Sequence, residues 1–130
     1  MRLFRVFLLL TLFGISTATM SNNDSKWVQL AKTDDNNSID VDLKSIEKID
    51  GGASLWARLT FNKIQRGPGI TFNTLQQKLM LSCISMKVRV DASFFVQGKK
   101  KVSNNLADPT KDWVDPENGF QKYILEHVCK

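Results

Sequence analysis

Hydrophobic and polar residues alternate with a period of two along most of this chain, the pattern of half-buried strands rather than helices. From Leu55 the odd positions Leu55, Ala57, Leu59 and Phe61 are apolar, while Arg58, Thr60 and Asn62 are polar. Thr74 to Ser85 repeats it, with Leu75, Leu79, Leu81 and Cys83 on one face and Gln76, Lys78 and Ser82 on the other, which aims Cys83 into the core. Val88, Val90, Ala92, Phe94 and Val96 give the strongest alternation. It follows that Trp56 and Phe95 point outward, either to anchor a partner or to lie under a loop such as the one carrying Trp113.

Breakers divide these runs into hairpins. Trp27 to Ala31 is a short first strand, Thr33-Asp34-Asp35-Asn36-Asn37 is turn chemistry, and Ser38 to Asp42 is the returning strand. Leu43 to Ile49 reads equally as a helical turn or a strand entrance, and Asp50-Gly51-Gly52 stops it with residues suited to positive φ. Gln65 to Gly69 is expected to be a loop, and Gln97-Gly98-Lys99-Lys100 a tight turn into a last strand at Lys101 to Ser103. Consecutive hairpins imply an antiparallel meander.

After a loop at 104–115 the period changes. Asp115 can cap a helix and Pro116 can start it, and Phe120, Tyr123, Ile124, His127 and Val128 then share one helical face. The expected fold is therefore α+β, an antiparallel meander sheet of about six strands covered on one face by a C-terminal helix, because a one-sided sheet must pack its apolar face on something.

The N-terminus has another pattern. Arg2 and Arg5 precede the apolar run Val6 to Phe13, and small residues end at Ser16-Thr17-Ala18, the order of a signal peptide, with cleavage expected after Ala18. A membrane anchor needs about 20 apolar residues, and this run breaks at Gly14 and Ser16. Residues 1–18 are thus read as signal, 19–26 as a polar flexible leader, and 27–130 as the domain. Export places the domain in the periplasm, at the cell surface or in the medium. No cysteine lies near the cut, so a lipid anchor is not expected.

Composition changes the picture little: 42% of the 130 residues are hydrophobic and 24% are charged, an ordinary globular balance for one domain. Losing Arg2 and Arg5 brings the formal charge from +5 to a mildly positive +3, too little to argue for nucleic acid. The two cysteines, Cys83 and Cys129, are expected to pair in an exported chain and to pin the helix to the sheet. Closing a loop of about 46 residues stabilises by about 4 kcal/mol in the chain-entropy model.

Little in the sequence points to catalysis. The single histidine, His127, lies two helical residues from Cys129, on another face, and an oxidised cysteine offers no thiolate. The aspartates at 34, 35, 40 and 42 and the acids at 108, 112, 115 and 117 lack the spacing of a calcium loop, and turns and caps account for them. Neither a metal nor a cofactor is expected. Lys99, Lys100 and Lys101 form the densest cationic cluster, suited to an acidic partner or equally to protection of a sheet edge. The terminal Lys130 joins an ammonium to a carboxylate and is the fourth candidate contact.

Trp27, Asp42-Leu43-Lys44-Ser45-Ile46, the strand around Trp56, Cys83, the hairpin Phe95-Val96-Gln97-Gly98-Lys99, Pro109 with Trp113, and Pro116 leading to Val128-Cys129-Lys130 together resemble the bacterial surface-adhesin protein E family. The resemblance spans nearly all of 27–130. It implies a six-stranded antiparallel sheet bridged to a C-terminal helix, a Gram-negative source, and binding of host matrix and plasma proteins such as vitronectin, laminin and plasminogen. The chain departs from the family in lacking a cysteine for acylation, which leaves a soluble periplasmic structural or accessory role as the alternative to host adhesion.

Overall fold

The computed structural model describes residues 25–108 and 112–130. The expected signal segment 1–18, the leader up to residue 24, and Pro109 lie outside the described residues. Strand β1 is Trp27–Lys32, β2 Ser38–Asp42, β3 Glu47–Ile49, β4 Gly52–Gly67, β5 Ile70–Ser82, β6 Lys87–Gln97 and β7 Lys100–Lys101, and helix α1 is Gly119–Val128. The strands form one antiparallel sheet in the order β1-β2-β4-β5-β6-β7, with β3 also paired to β4. This is the expected meander with a C-terminal helix, a mainly-sheet α+β fold.

The ambiguous segment after β2 contains both alternatives, a 3-10 turn at Leu43–Ser45 followed by β3. Asp42 caps that turn, its Oδ1 accepting from the Lys26 and Lys44 backbone N–H groups at 2.7 and 3.1 Å. The Ser45 hydroxyl donates to the Asp42 carbonyl and accepts from the Trp56 N–H. One aspartate and one serine thus route the chain along a single edge of β4.

The inner face of the sheet follows the alternation. Ile39, Val41, Leu55, Ala57, Leu79, Leu81 and Val88 are buried with Phe120, Ile124 and Leu125 of α1 in one cluster. The helix carries a face that differs from expectation, since Gln121 and Leu125 are buried whereas His127 is exposed and stacks on Tyr123. Its start is corrected too. Asn118 is the cap, its side chain accepting from the Gln121 N–H at 2.9 Å. Asp115, the expected cap, is instead engaged by Lys87 at 2.8 Å, beside the Val88–Val114 bridge that holds this segment in extended form.

Gln121 is fully buried. Its Nε2 donates to Gln77 Oε1 at 3.1 Å, Gln77 Nε2 donates to Ser93 Oγ at 3.1 Å, and the Glu117 N–H donates to Gln121 Oε1 at 2.9 Å. Burial of these amides is tolerable because each finds partners. Replacing Gln121 by alanine is expected to cost about 3 kcal/mol, through a void and a Gln77 carbonyl left without its donor, as urea denaturation would measure.

Other expectations need correction at three hinges of the sheet. The loop at Gln65 to Gly69 shrinks to the Pro68-Gly69 turn, because β4 and β5 stay paired up to Gly67 and Ile70, with Gly69 at φ 73°. Cys83 does not end a strand inside the core. β5 stops at Ser82, and Cys83 is half-buried in the turn that follows, at the rim. The last strand is Lys100–Lys101, one residue earlier than expected, after which Val102 N–H still reaches the Phe95 carbonyl. The Cys83–Cys129 disulfide is present, with Cα atoms 5.2 Å apart.

Candidate binding face

One residue decides what the outer face of the sheet carries. Across β5 and β6, Lys78 is opposite Ala92 but Leu79 is opposite Val90, so Asp91 is an extra residue, a bulge. Side chains alternate strictly, and a one-residue insertion exchanges the faces of everything beyond it. Val88 and Val90 therefore face the helix, opposite Leu81 and Leu79, while Ser93 and Phe95 take that side further along, opposite Gln77 and Leu75. Phe94 is the outward ring and Phe95 the inward one, the reverse of the sequence expectation.

Phe95 stacks on Phe72 with centroids 4.0 Å apart, and Phe72 meets Phe61 edge-on at 6.0 Å. Outside, Phe94 stacks on Trp56 at 6.4 Å, and the Lys101 ammonium lies 4.1 Å from the centroid of the Phe94 ring. Trp56 is outward as expected. A second cation–aromatic pair stands nearby: the Arg58 guanidinium is 4.2 Å over Trp27 and its Nε bonds Asp40 Oδ2 at 2.9 Å. The pairing register explains the proximity, since Asp40, Arg58, Gln76 and Phe94 stand side by side on four neighbouring strands. Trp56, Lys78 and Ala92 form the adjoining row.

Among the described residues no helix lies over this face, and its large side chains Trp56, Phe94 and Lys78 are half-buried. The charges are unevenly compensated: Arg58 is paired with Asp40, Arg89 with Asp91 at 3.4 Å, and Asp42 serves the Leu43–Ser45 cap. Lys78 and Lys101 have no acidic partner among the described residues. The Gln76 side chain, between Arg58 and Phe94, makes no hydrogen bond among the described residues.

Of the four lysines singled out by sequence, Lys99, Lys100 and Lys101 are exposed together on the β6–β7 turn and the two-residue strand behind it. Lys130 is elsewhere. Lys101 pairs with Val96 and thus stands level with Thr74, whereas Lys130 follows Cys129, bonded to Cys83, which lies nine residues beyond Thr74, just past the end of β5, about 30 Å at strand rise. The structure thus separates Lys130 from the other three. Sequence reasoning missed Phe94, Arg58 and Lys78. Lys78 and Arg58 were legible as outward positions but were passed over because single outward cations are ordinary, and Phe94 was hidden by the bulge.

A second concavity lies on the helix side, a cleft of about 230 Å³ lined in part by Gln77, Val90, Ser93 and Val114. Its polar floor is already bonded, Gln77 to Ser93 and Gln121. Among the described residues, no group of three histidine, cysteine or acidic side chains is placed to hold a metal ion, and no helix is long and apolar enough to cross a membrane. Comparison of the chain with family models, with curated proteins and with solved structures gave no match in any of the three.

Proposed function

We propose that this chain is an exported, non-catalytic binding protein of adhesin type that engages host matrix or plasma proteins through Lys99, Lys100 and Lys101. The observation that carries this reading is the placement of three consecutive exposed lysines at the corner of the sheet, of which Lys101 lies over the half-buried Phe94, itself stacked on Trp56. Lysines draw an acidic partner in and set its orientation, and neighbouring rings supply contact area that resists its departure. Lys130, at the opposite end, acts in this reading as a separate contact. The disulfide supports export, since such bonds persist in oxidising compartments.

The triple variant K99E/K100E/K101E is expected to weaken binding to immobilised vitronectin, laminin or plasminogen by about tenfold or more, with an unchanged circular dichroism spectrum. Unchanged affinity would remove the lysines from the site. A wild-type domain that binds none of the three would turn the search for partners to envelope components, as a periplasmic accessory role requires.

A further inference from the structure

We infer that the outer face of the sheet, centred on Trp56 and Phe94, is a docking platform for an anionic polysaccharide. It shares Lys101, Phe94 and Trp56 with the lysine corner and adds Gln76 and Lys78. Trp56 and Phe94 stack on the sheet face away from α1, and their half-exposed surface is apolar ring surface of the kind on which the C–H faces of sugar rings lie. Gln76, in the row beside Phe94, has an amide that no described side chain satisfies, and it offers both a donor and an acceptor to hydroxyl groups.

Charge selects within the sugars. Lys78 adjoins Trp56 across the strand pair, and Lys101 caps Phe94, so the two uncompensated ammonium groups flank the rings. Carboxylates or sulfates along a glycan would meet them. A nucleic acid, charged at every nucleotide, needs a denser run of free cations than two, and here Arg58 and Arg89 are already neutralised by Asp40 and Asp91. An apolar protein partner would find Gln76 and Lys78 interrupting the ring surface, and burying them unpaired is costly.

The test uses the folded chain and four probes: a sulfated heparin-type hexasaccharide, a uronate hexamer, a neutral glucan hexamer and a single-stranded thymidine dodecamer. Tryptophan emission and calorimetry report binding. The acidic oligosaccharides are expected to bind, to weaken with added salt, and to lose about tenfold in affinity in Trp56→Ala and about threefold in Lys78→Ala, a surface change that leaves packing intact. Lys78→Ala should keep the affinity of the wild type for any protein ligand held by Lys99 to Lys101, whereas Trp56→Ala, at a ring that both sites use, should weaken that ligand too. Failure of both acidic glycans to bind would overturn the inference, as would tighter binding of the thymidine oligomer or of the neutral glucan. Glycan binding that survives Trp56→Ala and Lys78→Ala but is lost in K99E/K100E/K101E would also overturn it, by moving the ligand to the lysine corner.

Discussion

With Cys83 and Cys129 both replaced by serine, the domain is expected to lose about 4 kcal/mol of stability, measured by urea denaturation against the oxidised protein. The bridged residues are 46 apart, and the loop they close includes β6, β7, the long connection and α1. Opening it releases the unfolded chain from a constraint that the native state hardly notices. The native side has little in reserve. The ten-residue helix is about 15 Å long, too short to be stable alone, and it buries only Phe120, Gln121, Ile124 and Leu125 on the sheet. A typical small domain holds about 5 to 15 kcal/mol in total, so the double variant should be marginal at physiological temperature. A loss below about 1 kcal/mol would mean that helix docking, rather than the bridge, holds the C-terminus.

The second large effect is expected from Gly52→Ala. A Cβ built on Gly52 would stand 1.7 Å from the Leu81 carbonyl oxygen and 2.8 Å from its carbon, so the backbones of β4 and β5 would have to part. The cost is about 3 kcal/mol or more, a fall of about 15 °C in Tm by scanning calorimetry. Separation there also strains the turn beyond, where the Cys83 N–H donates to the Gly51 carbonyl at 2.8 Å. Gly69→Ala is the control. Gly69 has φ 73° but open space around its missing side chain, so the alanine costs only about 1 kcal/mol of backbone strain. Equal effects at the two glycines would show that backbone conformation, not the close approach of strands, governs Gly52.

The strands were legible because burial on one face imposes the period of two on the sequence directly. Leu55, Ala57, Leu79 and Leu81 all lie where that period puts them. What escaped were features that depend on a neighbour rather than on the run itself. Asp115 is a good cap by composition, yet Lys87, 28 residues away, takes its carboxylate, and Asn118 starts the helix. Gln121 reads as a polar surface residue, and only the carbonyl of Gln77, on a strand 44 residues earlier, makes its burial possible. The candidate face was half legible for the same reason. Trp56 lies in a regular strand and was placed outward, whereas Phe94 lies beyond Asp91, whose bulge is defined by the partner strand alone.

The adjacent rings at 94 and 95 give that bulge a further consequence. If β6 slipped by one residue against β5, a phenylalanine would still occupy each face, so aromatic burial scarcely distinguishes the two pairings. Ser93 does distinguish them. Its hydroxyl accepts from buried Gln77, its N–H donates to Asn105 Oδ1 at 2.9 Å, and its carbonyl accepts from the Leu106 N–H at 2.8 Å. A slip would put the ring of Phe94 against Gln77 and leave those polar groups without partners, a penalty that a small hydroxyl imposes and the large rings beside it do not. This small hydroxyl side chain therefore acts as the reading frame of the strand, and through it decides which phenylalanine the protein shows to the outside.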